Sequence, residues 1–381
     1  MSPTADWSYP TAIRFGAGRI VELPDAVRAA GITRPLLVTD KGLAGLPITR
    51  TALDLLDGAG LKPGLFAEVQ ANPTDANLEA GVAAFRAGGH DGVVAFGGGS
   101  GLDLGKCVAF MQGQTRPVWD FEDIGDWWTR ANPDTIAPIV AVPTTAGTGS
   151  EVGRAGVITN TADHVKKVIF HPRMLPAIVI CDPELTVGMP KFITAGTGMD
   201  AFAHCLEAYC APAYHPMSEG IAVEGMRLVK AYLPRAFAVP DDIEARAHMM
   251  SAAAMGAVAF QKGLGAIHAL SHPIGALHDT HHGMTNAVVM PAVLRFNRPA
   301  IEERIARLAA FLGIAGGFDG FTDFVQELRA GLGVPAGLAA FGVPEESFER
   351  IAAMAPDDPT AGGNPVKLTF ELAREMLEAA R

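Results

Sequence analysis

The sequence predicts two domains: an α/β domain over residues 1–185 and an all-α domain over residues 186–381. A chain of 381 residues is longer than one ordinary hydrophobic core accommodates. In the first half, short runs rich in β-branched residues alternate with helical patterns, which is typical of βαβ units and a parallel sheet. After Asp182-Pro183 the residues Ala, Leu and Met dominate and every periodicity is helical, so the boundary is expected within 183–190.

The predicted strands of the α/β domain come in the order PLLVTD (35–40), GVVAF (92–96), the run 135–142 and AIVIC (177–181). Each is short, apolar and closed by an acid, glycines or proline, as buried parallel strands are. Helical patterns at 50–60 and 76–87 lie between them.

The all-α domain is expected from apolar residues that recur at helical spacing. These patterns cover 193–209, 218–229, 243–260, 265–277, 300–312, 321–332 and 369–380.

Composition excludes several classes of protein. The net charge of −11 argues against a nucleic-acid or anionic-membrane partner. No apolar run approaches the ~18 residues of a transmembrane helix, and the first ten residues lack the basic and apolar regions of a signal peptide. The four cysteines show no CxxC spacing, so we expect buried or free thiols in a reducing, cytoplasmic location.

Two glycine- and hydroxyl-rich loops follow predicted strands. Gly97-Gly98-Gly99-Ser100 precedes a helix expected to start near Leu102, and Pro143 to Ser150 reads PTTAGTGS. Glycines let a backbone approach a pyrophosphate, and the helix N-terminus supplies N–H donors. The first loop is not GxGxxG, and alone it is equally consistent with a tight turn; the second loop strengthens the case for a bound dinucleotide.

Asp40 closes the first predicted strand. An acid there would accept hydrogen bonds from an adenosine ribose and repel a 2′-phosphate, which favours NAD over NADP. Capping of the next helix is an equally good interpretation.

The histidine spacing predicts a metal site. Asp200 and His204 are four residues apart, as are His268 and His272, and His282 precedes Gly283. Residues i and i+4 share a helix face, so one carboxylate and three imidazoles would converge on a divalent transition metal. Structural histidines are the alternative interpretation. His272 would face the same cavity and relay protons. His278 and His281 are expected to be exposed.

Segments spanning nearly the whole chain resemble the iron-containing (group III) alcohol dehydrogenase family, whose fold is shared with dehydroquinate synthase. They are FGAG (15–18), VTDKGL (38–43), NPT (72–74), GGGSGLDLGK (97–106), PTTAGTGSEV (143–152), DPELT (182–186), GMDAFAHCLEAY (198–209), GLGAIHALSHPIGAL (263–277) and HHGMTNAVVMP (281–291). The resemblance implies an N-terminal dinucleotide-binding domain, a helical C-terminal domain, an active site in the cleft and a homodimer.

The resemblance also implies roles for single residues. The metal ligands would be Asp200, His204, His268 and His282, with His272 beside the nicotinamide and substrate. The NAD contacts would fall on Asp40, Asn72, Gly97, Gly98, Gly99, Ser100, Asp103, Thr144, Thr145, Thr148 and Lys166. Fe2+ is the family expectation, although this donor set would also take Zn2+. The implied activity is NAD-linked oxidation of a small alcohol, or reduction of its aldehyde, with the metal acting on the alcohol oxygen.

The stretch AFQKGLGAIH departs from the family pattern. Phe260 lies eight residues before His268 instead of nine, and Gln261-Lys262 occupies a place that is usually small and neutral. Because this stretch lines the substrate pocket in the family, Phe260 and Lys262 are candidate substrate contacts. A Lys262 ammonium at a helix start would pair with the carboxylate of an ω-hydroxy acid; a solvated surface lysine is the alternative.

Two other functions fit parts of the sequence. A metal-dependent lyase or synthase on the dehydroquinate synthase-like fold would use NAD without net NADH production. A non-enzymatic metal- or nucleotide-binding protein would bind NAD without turnover.

Overall fold

A computed structural model describes Tyr9, residues 11–163 and residues 165–381. The chain forms two compact units. The α/β unit comprises Tyr9–Thr145 and Gly149–Gly188, and the helical unit comprises Ala146–Thr148 and Met189–Arg381. The main boundary lies three residues beyond the predicted position 185, and Ala146–Thr148 group with the helical unit, which sequence patterns did not indicate.

The α/β unit is built on a six-stranded parallel sheet with the strand order β1-β8-β5-β4-β2-β3. A separate antiparallel pair is formed by β6 and β7. The strands are β1 (Ala12–Phe15), β2 (Pro35–Asp40), β3 (Gly64–Val69), β4 (Gly92–Gly97), β5 (Ile139–Pro143), β6 (Ala155–Asn160), β7 (Val165–Phe170) and β8 (Ile178–Cys181). The predicted parallel sheet is thus confirmed.

Burial of both sheet faces explains why the central strands could be predicted from the sequence. Every residue of β4 and β5 is buried, so these strands read as continuous apolar runs. The helices of this unit are α1 (Leu23–Ala29), α2 (Lys41–Ala44), α3 (Pro47–Gly58), α4 (Asp75–Ala87) and α5 (Gly99–Met111). The sheet-edge strands β1 and β3 and the hairpin strands β6 and β7 were not predicted, because their residues are only partly buried.

The strand order places a topological switch point between β2 and β4. From β2 the chain moves outward to β3, and then returns to the other side of β2 to form β4. Ligands of open α/β sheets bind outside the carboxyl ends of the strands at such a point. Asp40 ends β2 and Gly97 ends β4, so both predicted cofactor residues lie there.

The helical unit contains eight α-helices. They are α6 (Lys191–Cys210), α7 (Pro216–Ala238), α8 (Ile243–Ala259), α9 (Ala266–His278), α10 (His282–Phe311), α11 (Gly317–Gly331), α12 (Phe348–Met354) and α13 (Phe370–Ala379). Residues 189–381, all of them described, form no strand, as predicted. Among the described residues of the chain, no helix combines the length and the apolarity needed to cross a bilayer.

Helix α10 is the largest departure from the predicted elements. The sequence indicated a helix over 300–312, whereas α10 runs for 30 residues with Pro291 and Pro299 inside it. Interior prolines ordinarily end a helix, because they remove a backbone donor. Residues 283–294 are also buried all round, so they show no amphipathic period.

Candidate active site

Helix α6 places Asp200 and His204 on one buried face. The two residues are 3% and 4% exposed, and His204 Nε2 lies 3.8 Å from Asp200 Oδ1. A spacing of four residues brings side chains together one turn apart, as the sequence predicted.

Two further helices bring imidazoles to the same carboxylate oxygen. His268 Nε2, from α9, lies 3.8 Å from Asp200 Oδ1, and His282 Nε2, from the first turn of α10, lies 3.5 Å from it. Glycine makes this approach possible. A Cβ at Gly283 would lie 2.1 Å from the carbonyl oxygen of Gly196 on α6, so α10 could not come this close with any larger residue.

The donor set fits a divalent transition metal. Ligand atoms of Asp200, His204 and His268 all lie within 4.8 Å of one another. His282 adds a third imidazole and is the most accessible of the four, with 28% of its side chain exposed. One carboxylate and three imidazoles suit Fe2+, Zn2+, Mn2+ or Co2+.

Burial and neighbouring charges set the protonation of the cluster. Burial alone would raise the pKa of Asp200, but His204, His282 and His268 outweigh it and hold that pKa below its ordinary value. Burial lowers the pKa of His204 to about 4, so this imidazole is neutral with a lone pair to offer. Burial also opposes a charge on His268, but the carboxylates of Glu207 and Asp200 prevail and raise its pKa to about 9.

His272 lies one turn beyond His268 on α9, beside the cluster. Its ring centroid is 5.8 Å from that of His268 and 5.4 Å from that of His282. Its Nδ1 is 2.9 Å from Asp358 Oδ2, and the Asp358 carboxylate also accepts from the Thr360 hydroxyl at 2.6 Å and backbone N–H at 2.9 Å. The acid therefore fixes the imidazole ring in place, which suits the predicted proton relay.

Phe260 and Lys262 form a short 3-10 turn that directly continues α8. The Phe260 ring packs on His204 with 5.1 Å between centroids, so it lies beside the cluster, and its contact with substrate stays a prediction. The expectation for Lys262 is wrong. It lies at a helix C-terminal end rather than a helix start, and its buried ammonium pairs with Glu219 at 2.9 Å and donates to the Tyr209 carbonyl at 3.1 Å. An internal ion pair replaces the predicted substrate contact.

His278 and His281 are half-buried, not exposed as expected. The His281 ring has a structural role, because its Nδ1 accepts a hydrogen bond from the Met284 N–H and caps α10. The histidine beside a candidate ligand therefore positions the helix that carries it.

In the α/β unit, the first predicted phosphate loop opens a helix. Helix α5 begins at Gly99, three residues before the predicted start, and Gly98 at its N-cap provides no side-chain cap. The backbone N–H groups of the first turn therefore have no side-chain acceptor at the cap. Gly97 has a φ of 142°, a backbone conformation that favours glycine. At Gly101, a Cβ would lie only 2.9 Å from the Phe96 carbonyl oxygen, so this position also favours glycine.

Asp40 has the predicted capping role, and its ribose contact stays a prediction. Its Oδ1 accepts from the Leu43 N–H at 2.9 Å and caps α2. Its Oδ2 lies on the Gly97 side, 3.6 Å from where a Cβ on Gly97 would be, and accepts no hydrogen bond within the described part of the chain. One carboxylate oxygen thus stays available to a ribose at the switch point.

The part of the second loop that belongs to the α/β unit lies beside the first loop. The Thr144 N–H donates to the Gly97 carbonyl at 2.9 Å, and a Cβ at Gly98 would lie 3.1 Å from Thr145. The buried Thr144 hydroxyl has no partner among the described residues, which fits a group supplied by a ligand. Thr148 belongs to the segment that groups with the helical unit.

The remaining predicted cofactor residues differ in their contacts and burial. The Asp103 carboxylate accepts from the Ser150 hydroxyl and the Val157 N–H and pairs with the buried Lys106, and its cofactor contact stays a prediction. Ser100 donates its hydroxyl to the Ala71 carbonyl. Asn72 lies in the loop before α4 and Lys166 on β7, both half-buried.

Sequence reasoning missed three residues that contact either the cluster or His272. Asn286 Nδ2 lies 2.8 Å from Asp200 Oδ1 and 3.2 Å from the Nε2 atoms of both His268 and His282. Glu207 contacts His268 at 2.6 Å, and Asp358 contacts His272. Spacing would have indicated the first two, since Asn286 is four residues after His282 and Glu207 three after His204; Asp358 is 86 residues from its partner.

Comparison with known proteins agrees with this architecture. Residues 10–183 match the family model described as iron-containing alcohol dehydrogenase, and residues 194–381 match that of the Fe-containing alcohol dehydrogenase family, C-terminal. The chain is 42% identical over 380 residues to a 4-hydroxybutyrate dehydrogenase from Cupriavidus necator, covering 97% of this chain and 98% of the relative.

Two solved structures are similar over almost their full length. One is a 1,3-propanediol oxidoreductase, with a TM-score of 0.94 and 35% identity over 99% of this chain and 100% of that one. The other is a sulfoacetaldehyde reductase from Bifidobacterium kashiwanohense in complex with NAD+, with a TM-score of 0.88 and 30% identity over 99% and 98%. The chain therefore belongs to the iron-containing alcohol dehydrogenase family and is an oxidoreductase.

Proposed function

We propose that this enzyme is a metal-dependent dehydrogenase that interconverts a small primary alcohol and its aldehyde with NAD, and that ω-hydroxy acids are its preferred substrates. The observation that carries the proposal is the cluster of Asp200, His204, His268 and His282 around one carboxylate oxygen. Four side chains from three helices with this composition suit a transition metal.

The metal and the cofactor would supply the reactive chemistry. A divalent ion held by the cluster would supply polarisation of the alcohol oxygen, and NAD would supply the hydride acceptor. Fe2+ is our proposed metal, with Zn2+ as the other ion that this donor set accommodates. The reaction consumes one alcohol and one NAD+ and yields one aldehyde, one NADH and one proton.

The protein's own groups would orient the reactants and move that proton. His272 would take the proton of the alcohol through its Nε2, because its Nδ1 is held by Asp358. Phe260 packs on His204 and would close the apolar side of the substrate pocket.

The α/β unit supports the choice of NAD. The open N-terminus of α5 and the unpartnered Thr144 hydroxyl would receive the pyrophosphate, and Asp40 Oδ2 the ribose. Asn72, Thr145, Thr148 and Lys166 remain proposed cofactor contacts.

Support for an ω-hydroxy acid comes from the relatives. A 4-hydroxybutyrate dehydrogenase and a sulfoacetaldehyde reductase both have names that specify an anionic substrate. Lys262 would not bind that anion, since it is paired with Glu219. The proposal therefore rests on the likeness to these relatives and not on an identified cation.

A substrate panel tests the function. We expect kcat/KM with NAD+ to be higher for 4-hydroxybutyrate than for 1-butanol and 1,3-propanediol, measured as net NADH formation. A higher value for a neutral alcohol would contradict the preference for hydroxy acids. Absence of net NADH with every alcohol would contradict the dehydrogenase and favour the lyase or binding-protein alternative.

The proposed assembly is a homodimer in the cytoplasm. Strand β1 is an outer strand of the sheet, and its Ile13 and Phe15 are more than a third exposed. An exposed apolar edge strand is a site for pairing with a second chain. Sedimentation of the purified protein at the mass of one chain, 39.8 kDa, would contradict the dimer.

A further inference from the structure

Glu207 is a buried carboxylate behind the metal cluster. It lies on α6 three residues after His204 and seven after Asp200, on the same side of the helix, and is 6% exposed. Its only ionic partner among the described residues is His268, because neither lysine nor arginine forms an ion pair with it there. Burying a carboxylate without a compensating partner costs free energy of folding, so Glu207 is expected to need the contact with His268.

Both carboxylate oxygens of Glu207 accept hydrogen bonds from the start of α9. Oε2 lies 2.6 Å from His268 Nδ1, and Oε1 accepts from the Ile267 N–H at 2.6 Å. A Cβ at Gly265 would lie 3.0 Å from Oε1, so the glycine there leaves room for the carboxylate.

These contacts determine which nitrogen of His268 is available to a ligand. Oε1 already accepts from the Ile267 N–H, and a carboxylate oxygen accepts hydrogen bonds, so Nδ1 is the nitrogen that donates to Oε2. With Nδ1 donating to Glu207, Nε2 is the nitrogen that would bind an ion, and it is this atom that lies 3.8 Å from Asp200 Oδ1 in the cluster. Metal-binding histidines commonly donate their other ring N–H to a carboxylate, which fixes both tautomer and ring direction.

We propose that Glu207 is a positioning residue of the metal centre, which holds His268 with Nε2 directed at the ion and adds the second carboxylate charge that balances a divalent cation. This inference rests on the proposed metal site. It predicts that the affinity for the ion, and not only the fold, depends on Glu207.

Glu207 could instead serve only to stabilise the start of α9, and this role can be tested separately. Glu207 also caps α9, and Asn364 caps the same helix end, since its Oδ1 accepts from the Ala266 N–H at 3.1 Å. Asn364→Ala therefore removes a hydrogen bond from the same turn without touching an imidazole. Glu207→Gln keeps the size but leaves one carbonyl oxygen for two N–H donors and removes the charge.

The experiment measures binding of Co2+ to the full-length protein by chelator competition, together with the visible absorption spectrum of the Co2+ form. We expect Glu207→Gln to bind Co2+ roughly 10- to 100-fold more weakly than wild type and to shift the spectrum. Asn364→Ala should lower the melting temperature and leave both the Co2+ affinity and the spectrum at their wild-type values. Equal Co2+ affinity and spectra in wild type and Glu207→Gln would overturn the inference.

A second test uses the wild-type protein, so it does not depend on whether a variant folds. With Zn2+ bound and histidines labelled with 15N, the proposal requires Nδ1 of His268 to carry the proton and Nε2 to bind the metal. The reverse assignment would overturn it. If the wild type binds neither Co2+ nor Zn2+, the proposed function itself fails, whereas binding that is insensitive to Glu207 contradicts this inference alone.

Discussion

His272 is the histidine beside the cluster that the proposed mechanism uses without making it a ligand. Its Nδ1 is held by Asp358, and its ring lies 5.4 Å from that of His282. His272→Ala should retain the metal and lower kcat by about 10²-fold or more, because general acid–base assistance is lost. Metal analysis and kcat measured on the same preparation check this. Loss of the metal from this variant would make His272 a ligand and contradict the four-residue assignment.

Asp40 is the residue expected to select the cofactor. Its Oδ2 accepts no hydrogen bond from the described residues, whereas Oδ1 caps α2. Asp40→Gly should narrow or reverse the preference for NAD+, since repulsion of the 2′-phosphate of NADP+ disappears. The measurement is the ratio of kcat/KM for the two cofactors. Asp40→Asn keeps an acceptor for the cap and serves as a control for structural damage; a ratio unchanged in both variants would leave Asp40 only its capping role.

At the scale of elements, the turn Ser150–Val152 contains a buried acid that couples stability to pH. Burial raises the pKa of the Glu151 carboxyl to about 7 from its ordinary value of 4.5, and its own backbone N–H and the Lys106 charge offset only part of this. The folded protein therefore keeps a proton that the unfolded chain releases above pH 4.5. The resulting stabilisation is complete below pH 4.5 and is lost as the pH rises to 7.

Glu151→Gln should remove this dependence. At pH 8 the free energy of unfolding should rise relative to wild type by up to about 3 kcal/mol, and near pH 4.5 the two proteins should differ little. Denaturant titrations at both pH values measure the difference. The same difference between the two proteins at both pH values would show that Glu151 is not the titrating group.

Helices and strands could be predicted where their burial produces a simple pattern of apolar residues in the sequence. The fully buried strands β4 and β5 and the paired spacing on α6 and α9 were read correctly. Helix α10 was missed over its first half because of its interior prolines and uniform burial. Lys262 was placed at a helix start because the sequence does not reveal that the 3-10 turn continues α8.

For the whole molecule, contacts between distant residues set the limit of sequence reasoning. The paired spacing on α6 and α9, together with His282 beside Gly283, predicted that one carboxylate and three imidazoles would converge. It did not predict the contact of Glu207 with His268, or that of Asp358, 86 residues away, with His272. The ion pair that removes Lys262 from the substrate site joins elements whose packing no local pattern encodes. The fold and the convergence of these side chains are therefore recoverable from the sequence. Spacing also points to Asn286 and Glu207, whereas it gives no sign of Asp358, which is distant from its partner in the sequence.

The central claim is that four side chains hold a metal on which NAD-linked alcohol oxidation depends. The most direct measurement is the metal content of anaerobically purified wild type, His268→Ala and His248→Ala, with NADH formation from 4-hydroxybutyrate on the same samples. His248 stacks on Tyr232 outside the cluster and is the matched control. We predict stoichiometric metal and turnover in wild type and His248→Ala, and loss of both in a folded His268→Ala. Equal metal content and rate in wild type and His268→Ala would contradict the claim.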